Sequence, residues 1–84
     1  MGKYEKVLLQ VLSGSSDANI SFDELCQLLA RIGFDCRIRG SHHNFFKTGI
    51  IERINLQRDG NNAKPYQVRQ VRRIISEHGL GGQL

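Results

Sequence analysis

The hydrophobic period of this chain changes at Gly33, and that change restricts the fold to a few possibilities. Upstream, Phe22, Leu25, Cys26, Leu29 and Ile32 recur at helical intervals. Ser21 and Glu24 form an S-x-x-E capping box, with Ile20 and Leu25 placed as a hydrophobic staple, so the helix begins at Ser21. Gly33 is the expected terminator, because glycine takes the left-handed conformation that closes a helix at little cost. Downstream, Phe34, Cys36 and Ile38 alternate with Asp35, Arg37 and Arg39, a period of two. The chain therefore passes from helix into strand, with the apolar set expected in the core and the two arginines outside.

The remaining segments follow from the same reasoning. Tyr4, Val7, Leu8, Val11 and Leu12 predict a short amphipathic first helix, and residues 13–19 read as a flexible loop. A second extended segment over residues 43–47 meets a turn at Thr48-Gly49. The third strand covers residues 54–57, beginning as early as Ile51, and ends at a loop over residues 58–62. Pro65 suits the first turn of a last helix whose stripe is Val68, Val71, Ile74 and Ile75, extending as far as His78. Gly79 stops it, leaving residues 81–84 as a frayed tail. The predicted class is α+β in the order α-α-β-β-β-α, with helices on one face of a three-stranded antiparallel sheet. Without its first helix this is the α-β-β-β-α arrangement of double-stranded-RNA-binding domains, with an extra N-terminal helix.

With 84 residues there is room for one domain and one thin core, which excludes large catalytic scaffolds and deep cofactor cavities. No cofactor and no metal are expected. No run approaches a membrane span, and the N-terminus lacks the pattern of a secretory leader, so a cytoplasmic setting is expected. Cys26 and Cys36 then read as reduced packing residues, since their spacing to each other and to His42 and His43 is not that of a zinc site. Charge is unevenly distributed. Residues 1–36 carry a net −2, whereas residues 37–73 hold nine cations, seven of them arginine, against Glu52 and Asp59. Guanidinium groups offer paired planar donors, so a phosphate-bearing partner, nucleic acid, leads the partner classes.

Arg39-Gly40-Ser41-His42-His43-Asn44 falls at the junction of the first two strands. Gly40 and Ser41 permit a tight reversal that brings the next side chains to the rim of the sheet. Histidine can both take and give a proton near neutrality, and RNA scission by its own 2′-hydroxyl needs only proton transfers and cations around phosphorus. Arg37, Arg39 and Lys47 could supply the positive field, and Ser41 or Asn44 could hold a ring tautomer or a phosphate oxygen. Read blandly, His42 and His43 are polar turn residues.

Residues 21–80 resemble the HicA family of bacterial toxins, RNA-cleaving proteins of toxin-antitoxin modules. The resemblance rests on Leu28-Leu29 and Gly33-Phe34 at the end of the capped helix, and on Arg39-Gly40-Ser41-His42-His43 with an aromatic shortly after. Lys64-Pro65 opening the last helix, and Ile74-Ile75 with Gly79-Leu80 closing it, complete the match. It implies a domain over residues 21–80 that cleaves mRNA without a metal and is silenced by an antitoxin of the HicB type. It also implies a catalytic histidine at His42 or His43, and His42 is favoured because it follows Ser41 in the turn. Strand alternation allows only one of the two to face the open surface. Many relatives carry a histidine near the end of the third strand, where this chain has Ile54-Asn55-Leu56-Gln57-Arg58-Asp59; His43, Asn55 or Arg58 would have to take that part. Residues 1–20 precede the matching stretch, as an added packing element, a dimer contact or a cover over the sheet.

Arg69, Arg72 and Arg73 lie at i, i+3 and i+4 on the last helix, and with Lys64 at its entrance they could grip RNA phosphates. The same ridge could dock an acidic antitoxin or be ordinary solvated charge. Tyr66 could stack a base, although packing suits a helix-start aromatic better. Two other function classes fit the sequence: a non-catalytic RNA-binding module, and an adaptor whose cationic face meets an acidic protein.

Overall fold

A computed structural model of the chain describes residues 2–83; Leu84 of the expected tail and Met1 lie outside the described residues. Its elements are α1 (Lys3–Ser13), α2 (Phe22–Ile32), β1 (Asp35–Arg39), β2 (His42–Lys47), β3 (Ile50–Leu56), β4 (Arg58–Asp59), β5 (Asn62–Ala63) and α3 (Pro65–Glu77). The fold is α+β. β1, β2 and β3 form an antiparallel meander, and β4 and β5 a separate two-stranded hairpin.

α2 begins as the capping box requires, with the Ser21 hydroxyl accepting a hydrogen bond from the Glu24 amide. It ends at Gly33 with φ 111°, whose N–H returns to the Ala30 carbonyl. A Cβ there would come within 2.6 Å of Lys47 Nζ, a flexible end that could move aside, so it is the positive φ that calls for glycine. Phe22, Leu25, Leu28, Leu29 and Ile32 are buried, and they meet Val68, Val71, Ile74 and Ile75 of α3 in one core. Each side chain contributes on the order of 1.5–3 kcal/mol by leaving water.

The helices cover one face of the sheet, where Phe45, Ile54 and Leu56 are buried. β1 departs from expectation. Phe34 is buried, but every residue of β1 is exposed, with Ile38 at 64% and Cys36 open as well. β1 is an edge strand paired only to β2, so its helix-side face projects beyond the helices. Alternation assigns a side chain to a face; it does not guarantee that the face is covered. Cys26 is half-buried, and burial pushes its thiol up to about 12.

Three loops carry more structure than expected. Residues 13–19 include a 3-10 turn at Asp17–Asn19. Residues 58–62 contribute to β4 and β5, which Ala63 N–H and Asn61 C=O bind to Ile20 and Phe22 at the start of α2. Residues 80–83 fold back in a 3-10 turn that buries Leu80, so the expected fraying is not seen there. α1 packs against α2 and α3 with Val7, Leu8 and Val11 inside the common core. α1 therefore serves as a packing element, and it lies on the helices rather than over the sheet. No helix among the described residues is long and apolar enough to cross a membrane.

Candidate nucleic-acid interface

β1 and β2 are joined by the two residues Gly40 and Ser41. Gly40 takes φ 57°, the positive angle at the first loop position that a II′ hairpin requires. This turn fixes the register Arg39↔His42, Ile38↔His43 and Arg37↔Asn44, and across β2 the pairs His43↔Leu56 and Asn44↔Asn55. A single alternation then sorts the residues. His43 falls on the helix-covered face with Phe45, Ile54 and Leu56. His42, Asn44 and Phe46 fall on the open face with Arg37, Arg39, Arg53 and Asn55.

The two histidines therefore have opposite surroundings. His43 is half-buried, edge-on to Phe22 with ring centroids 4.9 Å apart. Its Nδ1 is sealed from solvent and has no hydrogen-bond partner among the described residues. The ring also lines a cleft of about 240 Å³ with Gly40, Ser41, Gln57 and Arg58. Arg58 does not point freely into that space: it pairs with Asp23 at 2.7 Å and lies 4.5 Å above the Phe22 ring.

His42 is exposed and held at both ring nitrogens. Nδ1 lies 3.2 Å from Asn55 Oδ1 and 3.1 Å from Asn55 Nδ2, and Nε2 lies 3.4 Å from Gln57 Nε2. The tautomer follows from a residue further out. Lys64 Nζ, which can only donate, reaches Gln57 Oε1 at 3.4 Å, so the Gln57 amide turns its N–H toward His42. In the neutral ring this arrangement makes Nε2 the acceptor and directs Nδ1–H to Asn55 Oδ1, whereas Asn55 Nδ2, at 3.1 Å from the same nitrogen, would serve the other tautomer. Gln57 is in turn anchored through its backbone N–H, which donates to Oε1 of the buried Gln67 at 2.8 Å. The result is an exposed imidazole whose Nε2 faces the Gln57 amide, oriented by Asn55 of β3, by Gln57 just after it and by Lys64 just before α3.

Beside it lies a cleft of about 390 Å³ lined by Arg37, Arg39, Asn44, Phe46 and Arg53. The Arg53 and Arg37 guanidinium carbons stand 5.3 and 6.0 Å from the Phe46 ring centroid. Asp35, paired with Phe46 in the ladder, is the carboxylate on this face.

Of the expected site residues, Arg37 and Arg39 share the open face with His42, Ser41 lines the cleft beside His43, and Lys64 joins through Gln57. Lys47 does not. Its Nζ donates to the Ile32 carbonyl at 3.3 Å and caps the C-terminus of α2. Arg72 is also committed elsewhere. Its Nη1 reaches Asp17 Oδ1 at 2.8 Å and the Val11 carbonyl at 3.1 Å, and its Nη2 reaches Asp17 Oδ2 at 3.1 Å. That hydrogen-bonded guanidinium holds the Asp17 carboxyl below its usual range, against an opposing push from burial. Arg69 and Arg73 are exposed, with Arg73 3.6 Å from Glu77, but α3 lies on the covered face, across the sheet from His42. Tyr66 is exposed rather than packed.

Arg53, Phe46, Gln57 and Gln67 are not site residues by sequence pattern, and Asn55 is one only as a substitute group. A signal for Arg53 and Phe46 is nonetheless present: each is the alternate of a core residue, Ile54 and Phe45, on a predicted strand. One cluster of metal-ligating type occurs elsewhere. Glu52, Glu77 and His78 bring ligand atoms within 4.8 Å of one another at the end of α3. Those donors are already bound to each other and to Arg73: His78 Nε2 lies 3.1 Å from Glu52, and Glu77 pairs with Arg73. The Glu52 carboxyl sits below its usual range, chiefly through a hydrogen bond from its own backbone amide.

No family model, curated protein or solved structure matches the chain.

Proposed function

We propose that this chain is a metal-independent endoribonuclease that cleaves mRNA in the cytoplasm, the toxin of a HicA-type pair silenced by a HicB-type antitoxin. What carries the reading is the exposed His42, with an accepting Nε2, on a sheet face that also holds Arg37, Arg39 and Arg53. A ribose 2′-hydroxyl presented to Nε2 takes the place of the Gln57 amide and gives its proton to the imidazole. The 2′-oxygen then bonds to phosphorus, the P–O5′ bond breaks, and the departing 5′-oxygen takes a proton from the imidazolium or from water. Charge gathering on the phosphoryl oxygens is met by the neighbouring guanidinium groups, which keep their charge throughout. Asn55 keeps the ring in the tautomer that makes Nε2 the base. Imidazole and water between them supply the proton transfers in this scheme, so no step in it calls on a metal.

A second reading, a non-catalytic RNA-binding module, is favoured by one observation. His43 faces Phe22, so the open face has one histidine and no paired acid and base. Incubation of a single-stranded RNA with the protein in EDTA separates the two. The nuclease gives fragments ending in 2′,3′-cyclic phosphate, and His42→Ala lowers the rate by about 10²- to 10⁴-fold. RNA recovered whole from the parental protein supports the binding module, and a His42→Ala variant cutting at the parental rate removes the catalytic assignment.

A further inference from the structure

The element order of this fold suggests a reader of duplex RNA, but the open sheet face has a different chemistry. Phe46 stands half-buried near the end of the central strand of that face, with the Arg53 and Arg37 guanidinium groups over its ring, in a cleft completed by Arg39 and Asn44. Its position there is forced. Phe45 takes the core side of β2, and the ladder shifts register between Phe45 and Lys47, so Phe46 is left on the open side at the irregularity. The two arginines over the ring have no carboxylate partner among the described residues, so phosphate can draw them off it, and the ring they uncover is a stacking platform for a flat π system. In a duplex both faces of a base are already stacked and its phosphates run along the outside, so a ring set between arginines in a cleft has no base face to meet. An unpaired nucleotide meets all of these groups at once. Asn44, with no hydrogen-bond partner for its side chain among the described residues, adds one amide that can both donate to and accept from a base edge.

We propose that the substrate of this face is single-stranded RNA, with one unpaired base stacked on Phe46 and the adjoining phosphates on Arg37, Arg39 and Arg53. This rests on the reading of His42 as the cleaving group only for the position of the cut. His42 and Phe46 are four residues apart on β2, roughly 13 Å along a strand, so the stacked base is not that of the nucleotide whose 2′-oxygen attacks. Phe46 thus selects an unpaired stretch and sets where along it the linkage reaches Nε2.

The test uses the full chain and a fluorescent 12-nucleotide RNA with 2′-fluoro riboses, which lacks the attacking hydroxyl, alone and annealed to its complement. The single strand is expected to bind at least tenfold more tightly than the duplex. Phe46→Ala weakens the single strand by about 5- to 150-fold and leaves the duplex nearly unchanged, whereas Phe46→Tyr retains binding. Removing Arg37, Arg39 and Arg53 flattens the dependence of log affinity on log salt by about 0.7 for each phosphate no longer neutralised. Equal affinity for duplex and single strand, or Phe46→Ala binding like the parent, overturns the proposal. So does failure of both RNAs at physiological salt while polyglutamate binds, since the face would then serve an acidic protein. Phe46-dependent binding of a natural RNA that is never cut would sustain this proposal and end the nuclease reading; cleavage indifferent to Phe46 would do the reverse.

Discussion

His42 and His43 share a peptide bond and are in different environments. One ring is exposed on the face that carries Arg37, Arg39 and Arg53, in contact with Asn55 and Gln57. The other rests its edge on Phe22 with one nitrogen sealed from solvent. Nothing about the residue type separates them; the strand's alternation does, once Gly40-Ser41 fixes the register. The same division applies to the arginines. Arg53 on β3 borders an open cleft, whereas Arg72 on α3 holds α1 to α3 through Asp17 and Val11. The contrast shows that a residue's contribution here, to packing or to chemistry, is decided by whether it lies on the open face of the three-stranded sheet or among the helices that cover the other.

The largest effect that could break this contrast comes from exchanging the two histidine variants. His42→Ala should lose cleavage with its melting temperature unchanged. His43→Ala should instead destabilise by about 1–3 kcal/mol, a fall in melting temperature of roughly 4–8 °C per kcal/mol for a chain this size, while folded protein cuts at the parental rate. A His43→Ala protein that melts normally but no longer cuts RNA would reverse the assignment of the two faces.

The arginine half of the contrast predicts an intermediate effect. Arg72→Ala should cost about 1–2 kcal/mol in chemical denaturation, since its partner Asp17 is only 15% exposed and would be left without its charge-assisted bonds. RNA affinity should be unchanged. Arg53→Gln should do the opposite, weakening RNA and leaving stability within about 0.5 kcal/mol.

Acid titration sharpens the same point. Asp17 has a folded pKa below its ordinary value, so its stabilisation is complete above about pH 4 and disappears as pH falls further, through the folded value. The gap in melting temperature between the parent and Asp17→Asn should be constant from neutral pH to about pH 5 and close in stronger acid. A gap that does not narrow at all as pH falls below about 4 would show that the Arg72 contact does not depend on the carboxylate charge.

The smallest effect is expected at Gln57. Gln57→Leu frees the His42 ring without touching substrate, so kcat should fall a few-fold with KM little changed. Nitrogen-15 shifts of the His42 ring should then report a mixture of tautomers where the parent shows the Nδ1–H form. A parental ring already mixed would remove the role assigned to Lys64 and Gln57.

The legibility of this molecule in its sequence follows the range of each interaction. The α2 boundaries are readable because the Ser21–Glu24 cap and the Gly33 stop are made by residues within one turn of each other. The hairpin at Gly40-Ser41 and the opposed histidines are readable for the same local reason. Lys47 and Arg72 read as free cations because their acceptors, Ile32 and Asp17, are 15 and 55 residues away and become neighbours only in the folded chain. The exposure of Ile38 depends on how far the helices reach across the sheet, a tertiary distance that no period reveals. Phe46 is hidden in the sequence because an aromatic on a strand ordinarily packs, and its neighbour Phe45 has already taken that place.

The clasp from Arg72 to Val11 and Asp17 has a practical consequence for where this protein can be shortened. A chain trimmed to start at Ser21 keeps the whole stretch that resembles the toxin family, yet it withdraws Val7, Leu8 and Val11 from the core and strips the guanidinium of both acceptors. The backs of α2 and α3 would then be greasy and wet, and such a fragment should clump during purification before any assay could be run on it.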